Sequence, residues 1–284
     1  MLFKYKGRFL SEIFPFLYII RTWQKRFFRF IYWQFSTNKY ANTFEDELLP
    51  YRYVKHSSKL LRMYSNDERE YKWQKNKVKN LKIAAKAIDR IVIKPGEVFS
   101  FCKLVGLPTS KKGYLEGMEL SRGEARAGIG GGICQLANLI TWMTWHTPLT
   151  IIERSHHSFD PFPDQGRILP FGSGAAIFWN YVDLQIKNTS KDEVFQIIID
   201  FTETALKGEI RSTKRPIYSY KIIEKEHFFI QKNEHWYRSN EIWRSVFNRG
   251  VDCGPKYFVA EERLVKNFAR VKYEPDPSEY IIKF

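Results

Sequence analysis

An α+β fold is expected from three features of the chain. Apolar residues recur at helical spacing toward the N-terminus, β-branched and aromatic runs of strand length dominate after Pro148, and a Gly-rich turn delivers a cysteine to the head of one central apolar helix. The expected architecture is N-terminal helices, then a mixed or antiparallel sheet packed on that central helix, then a β-rich C-terminal region. At 284 residues, 44% hydrophobic and 17% aromatic, the chain can bury one large core or two modest ones, which excludes wholesale disorder.

The N-terminal segment comes first. "IFPFLYII", Ile13 to Ile20, is shorter than the roughly 20 residues a bilayer helix needs, and no small-residue cleavage site follows it. Neither a transmembrane helix nor a signal peptide is expected, which favours the cytoplasm or its membrane face. Beyond Pro15, the residues Phe16, Leu17, Ile20, Trp23, Phe27, Phe30 and Ile31 recur at three- and four-residue steps, with Arg21, Gln24, Lys25 and Arg29 between them. This amphipathic helix is either an interfacial anchor on anionic lipid or a helix docked on the protein's own core.

A second amphipathic helix is expected over residues 76 to 88, from Val78, Leu81, Ala84, Ala85 and Ile88. Pro95-Gly96 fits the centre of a type II turn, so residues 91 to 101 are expected to form a hairpin. After Pro148, "LTIIERSHH", "AAIFW", "YVDLQIKN" and "EVFQIIIDF" are expected strands, with a turn at Asn188, Thr189 and Ser190. From Tyr218 onward the style continues, with "KNE" as a hairpin turn. The clearest composition break, at Lys214 to Pro216, suggests three parts: a basic aromatic segment over 1–42, a main domain over 43–214, and a β-rich extension over 215–284.

The formal charge of +15 draws anions: nucleic acid, phospholipid head groups or anionic wall polymers. No zinc-finger, RNP-type or helix-turn-helix signature is present, so no nucleic-acid partner is expected. Cys102, Cys134 and Cys253 are odd in number and irregular in spacing, which argues against a disulfide framework and for a reducing environment. A zinc site of Cys134, a histidine and Asp160 would lack standard ligand spacing, so neither metal nor cofactor is expected.

The chemistry concentrates in "AGIGGGICQLANLITWMTWHTPLTIIERSHHSFD", Ala127 to Asp160. A helix from Cys134 to about His146 is roughly 18 Å long, and a strand returning from Leu149 covers that distance in five or six residues. The histidines therefore return to the level of the cysteine. At the helix N-terminus, unpaired N–H groups and the dipole favour a thiolate and an oxyanion, and an imidazole would activate the thiol further. Glycines 128, 130, 131 and 132 let the backbone turn sharply and let a substrate approach closely. His156 and His157, as strand neighbours, point to opposite faces, so at most one addresses the thiol. The plainer alternative is a small buried cysteine behind a tight turn.

Together "IKPGEVFSF", "GIGGGICQLANLITW", "TPLTIIERSHHSF" and "YVDLQIKN" resemble the VanW family, over roughly residues 76 to 212. Gly131, Gly132, Cys134 and Gln135 match its Gly-Gly-Gly-x-Cys-Gln signature, and His157 matches its histidine after Glu-Arg, whereas His156 falls where relatives vary. Where relatives commonly read Gly-x-Asp-Ala-Thr, this chain has Gly172-Ser173-Gly174-Ala175-Ala176, without the aspartate. If that aspartate orients the imidazole, the role here falls to Asp183 or to nothing; Asp183 otherwise sits on the exposed face of its strand. Gln135 is a candidate oxyanion-hole donor and Arg154 a candidate grip for a substrate carboxylate.

The resemblance implies a setting in Gram-positive vancomycin resistance and cell-envelope biology without supplying a reaction. Two readings stand. One is a thiol hydrolase or acyltransferase on peptidoglycan-related peptides or precursors, with Cys134 as nucleophile and His157 as base. The other is a non-catalytic accessory protein that binds a cell-wall precursor at the membrane face. The partners expected are a cell-wall peptide or precursor and an anionic membrane surface.

Overall fold

The computed structural model describes residues 4–5, 8–9, 15–61, 67–121, 124–156, 159–160, 168–249 and 256–276. Two short strands, β1 (Lys4–Tyr5) and β2 (Arg8–Phe9), pair antiparallel ahead of helix α1 (Pro15–Phe35). β3 (Thr43–Phe44) and β4 (Tyr51–Lys59) precede α2 (Glu68–Lys86), then come β5 (Ile91–Ile93), β6 (Val98–Ser100) and the short helix α3 (Phe101–Val105). The hairpin β7 (Glu116–Ser121) and β8 (Glu124–Ile129) leads into α4 (Cys134–Thr144), followed by β9 (Thr150–Glu153) and β10 (Phe159–Asp160). The rest is strand: β11 (Gln185–Lys187), β12 (Phe195–Phe201), β13 (Ala205–Ser212), β14 (Tyr218–Lys232), β15 (His235–Asn248) and β16 (Tyr257–Val271). This is the expected α+β class with a β-rich C-terminal region.

Three sheets organise the chain. A five-stranded antiparallel sheet runs β3-β5-β12-β13-β4, a three-stranded one runs β6-β11-β9, and a C-terminal one runs β10-β16-β15-β14, with β10 parallel to β16. The central helix α4 starts at the expected cysteine and ends just before Thr147-Pro148. Its Leu136, Leu139, Ile140 and Met143 join Ile197, Leu206 and Ile210 of the five-stranded sheet in one core. Each such burial contributes about 2 kcal/mol, which is enough to fix the helix against the sheet.

Several local expectations change in detail. Helix α2 begins at Glu68 rather than Asn76, because Asp67 caps it by accepting the Arg69 N–H at 2.8 Å and Glu68 and Glu70 sit at the positive end of its dipole. The Pro95-Gly96 turn forms, with the Glu97 N–H donating to Lys94 O at 3.0 Å and Gly96 at φ 78°. It does not close a hairpin. β5 pairs with β12 and β6 with β11, so the turn carries the chain from one sheet to another.

"AAIFW" is not a strand; only an isolated bridge joins Phe178 to Val182. "YSYKII" and "HFFIQ" are one strand, β14, bulged near Glu226. The "KNE" turn is as expected, with Asn233 and Glu234 both at positive φ, the backbone a two-residue hairpin turn requires. β13 was not anticipated, although its burial alternates perfectly along the strand.

Helix α1 docks with its cation-bearing face. Tyr18, Thr22, Arg26, Arg29 and Trp33 turn toward the domain, at the three- and four-residue steps of one helical stripe. Arg29 pairs with both carboxylate oxygens of Glu153, one contact at 2.7 Å. The Arg26 Nε donates to Trp179 O at 3.0 Å, and Lys103 lies over the Trp33 ring. The apolar stripe therefore points outward.

Candidate functional site

The turn that delivers Cys134 is built by close backbone crossing. Gly130 and Gly132 have φ of 82° and 91°, a region side-chain-bearing residues rarely occupy. A Cβ on Gly131 would lie 2.2 Å from the carbonyl carbon of Gly117, and one on Gly132 would lie 2.2 Å from Lys77 Cγ. Asn80 pins the crossing: its Nδ2 donates to Leu115 O at 2.9 Å and Gly131 O at 3.0 Å, while its Oδ1 accepts from the Leu115 N–H at 2.8 Å. The space over Gly131 and Gly132 thus belongs to Gly117 and Lys77. Packing is thus one reason for glycine here, while Gly130, Gly131 and Gly132 also line the cavity that holds Cys134.

Cys134 is a free thiol at the head of α4, with Sγ 4.0 Å from the carbonyl oxygen of Ile177. Burial pushes its pKa up, and the Glu119 carboxylate acts in the same direction. Next to Ile177, the Ala176 N–H donates to Ser155 O at 2.7 Å. The chain after β9 therefore returns alongside the start of α4, as the reversal at Pro148 predicts. Cys134 and His156 line one cavity of about 840 Å³. His157 lies outside the described residues.

Of the remaining expected site residues, Gln135 lines the same cavity, and Asp183 and Arg154 do not. Asp183 is fully buried and does not line that cavity. Its Oδ2 accepts from Ser100 Oγ at 2.6 Å, and its Oδ1 accepts from the Cys102 and Leu184 N–H groups, each at 2.8 Å. The carboxylate is spent on the start of α3, not on an exposed strand face. Burial raises its pKa, with the Ser100 and Cys102 hydrogen bonds opposing.

Gln135 spends both kinds of donor: its N–H goes to Gly132 O at 3.1 Å and its Nε2 to Ser58 Oγ and Lys59 O at 2.9 and 2.7 Å. It ties α4 to β4. Arg154 donates to Gly172 O at 2.8 Å and to Gly174 O, and its guanidinium lies over the Trp145 ring. Burial pulls its pKa down to about 10, so it stays charged at neutral pH while fastening its own loop instead of a ligand. At Gly174, Asn138 Oδ1 fills the space a Cβ would need, at 2.4 Å.

Other residues complete the cavity wall. Arg26, Lys59, Lys77 and Arg126 give it cations, against Glu119 and Asp160. Glu119 accepts from Arg126 at 2.6 Å, and Asp160 accepts from Arg238 at 3.2 Å and from Tyr273 at 3.1 Å, so both acids are held by partners. Lys77 was legible in principle. Gln74, Lys77 and Asn80 extend the buried stripe of Leu81 and Ala84 along α2, and polar residues on a core stripe signal a site.

Residues 76–211 match the family described as VanW like protein, a segment that contains the glycine turn, Cys134 and β9. The Vancomycin B-type resistance protein VanW of Enterococcus faecalis (strain ATCC 700802 / V583) is 32% identical over 248 residues, which is 86% of this chain and 89% of that protein. The chain belongs to the VanW family. The uncharacterized protein YoaR of Bacillus subtilis (strain 168) is 35% identical over 115 residues, 40% of this chain and 36% of that protein. No solved structure matches this VanW-family chain. The likeness to the enterococcal protein extends beyond the matched 76–211 segment into flanking parts of the VanW-family fold described above.

Proposed function

We propose that this chain serves vancomycin resistance and cell-envelope biology in a Gram-positive setting by taking a peptidoglycan-related peptide or precursor into the cavity beside Cys134. The observation that carries this reading is the coincidence of the cavity wall with the family's glycine-cysteine turn. The cationic lining suits ligands that carry carboxylates or phosphates, as wall peptides and their precursors do. The printed name of the enterococcal relative supports the setting. Calorimetric titration with a nucleotide-linked muramyl pentapeptide tests it. Saturable binding is expected, weakened about tenfold by Lys77→Met, which keeps the aliphatic stem and removes the charge. Absence of binding to the wild type overturns the reading.

Thiol chemistry is a second reading, favoured by Cys134 and His156 sharing the cavity with His157 next in the chain. In it, the Cys134 sulfur adds to an amide or ester carbonyl, its proton passes to an imidazole and then to the leaving group, and water or an acceptor releases the acyl group. An acyl-thioester on Cys134, detected by mass spectrometry after a quench, supports it. A Cys134→Ser chain that retains full resistance ends it.

A further inference from the structure

Helix α1 has two faces that do different things. Its inner residues Tyr18, Thr22 and Arg26 are part of the cavity wall that also holds Cys134. Its outer face leaves Trp23, Phe27, Phe30 and Phe35 between 54% and 81% exposed, with Ile19, Ile20 and Phe28 equally open. An ordinary surface helix does the opposite, burying its apolar stripe and presenting charge to water.

No described helix is long and apolar enough to cross a membrane, and α1, roughly 31 Å long, carries cations along its length and no acidic residue. Aromatic rings on one face, Lys25 exposed at its edge and a chain charge of +15 complement a head-group layer containing anionic lipid. A second copy of the same chain would instead bring like charges together.

We propose that α1 lies flat on an anionic lipid surface, its aromatic face in the head-group layer, with the cavity on the opposite side of the same helix. One helix diameter, about 10 Å, then separates the head groups from Tyr18, Thr22 and Arg26. Resting on the cavity's role in precursor binding, this favours a ligand presented from the membrane, with a polar head group and an acyl or polyprenyl tail.

Flotation of the full chain with vesicles of phosphatidylcholine, with and without phosphatidylglycerol, tests the seat. Binding is expected only when phosphatidylglycerol is present. It is expected to fall about tenfold or more in Trp23→Glu/Phe27→Glu/Phe30→Glu and less steeply in Lys25→Glu. Thermal unfolding of both variants identifies any that fail to fold, and Lys25→Glu, at an exposed position whose ammonium reaches over the Tyr181 ring, carries the test if the triple variant does.

No flotation of the wild type, or undiminished flotation of both variants, overturns the proposal. So does a wild-type dimer in light scattering that the triple variant converts to monomer without any lipid binding, which makes the face a contact between copies. Vesicle binding is read without any wall ligand. Its failure is therefore separable from failure of the muramyl-peptide titration.

Discussion

Gly117 and Gly131 meet backbone to backbone, so that neither has room for a side chain: a Cβ on Gly117 would lie 2.6 Å from Gly131 O, and one on Gly131 would lie 2.2 Å from the carbonyl carbon of Gly117. This contact locks the β7–β8 hairpin onto the turn that delivers Cys134. Gly131→Ala must push two backbones apart and is expected to cost about 2 to 3 kcal/mol, measured as a lowered urea midpoint at unchanged slope. A variant as stable as the wild type would show that the crossing is loose.

Cys134 offers a pH test. Its thiol pKa is raised by burial, so the thiolate fraction at neutral pH is smaller than for an exposed cysteine. Alkylation by iodoacetamide, followed at Cys134 by peptide mapping, is expected to be slow near pH 7 and to rise about tenfold per pH unit toward the raised pKa. A plateau already reached at pH 7 means that a neighbouring group activates the sulfur.

Asp183 titrates with a defined sign. Burial raises its pKa in the folded state, so folding is favoured while the group is protonated, below the ordinary carboxylate value near about 4, and that advantage is lost as pH rises through the raised pKa. Asp183→Asn removes the titration. Urea unfolding from about pH 4 to pH 7 is expected to show the wild type losing ground to the variant as pH rises, and a constant difference across that range would contradict this.

Arg154 and Arg238 carry stability rather than ligand contacts. Arg154→Ala removes two hydrogen bonds to the Gly172 and Gly174 carbonyls and is expected to cost about 2 to 3 kcal/mol. Arg238→Leu strips the fully buried Asp160 of its cationic partner and is expected to cost about 3 to 5 kcal/mol. Chemical unfolding measures both. A calorimetric titration in which Arg154→Ala loses ligand affinity while its stability is unchanged would restore the substrate-grip role.

How much of this was readable from the residues depended on distance along the chain. The bounds of α4, strand β12 and the return of the histidine segment toward Cys134 follow from local periodicity and the lengths of helix and strand, so they were legible. The orientation of α1 was not. Periodicity locates two faces, but which one docks is decided by the pairing of Arg29 with Glu153, 124 residues away. Asp183 was misplaced for a similar reason: its carboxylate meets Ser100 and Cys102, from a turn read as part of a hairpin rather than as a passage between sheets. The polar stripe of Gln74, Lys77 and Asn80 is visible in the sequence, but side-chain type alone does not tell a buried polar stripe from a solvated face.

The pairing of β10 with β16 has a consequence for any attempt to simplify the protein. Phe159 and Asp160 come one residue after the two histidines and are clamped beside Arg270 and Val271, with Tyr273 closing over the Asp160 carboxylate. The chain just past the histidines is thus moored to strands that the family-matched segment does not contain. A fragment trimmed to residues 76–211 would keep the cysteine and its glycine turn yet lose the strand that holds Phe159 and Asp160, both of which line the cavity, so the last strands brace its wall from behind.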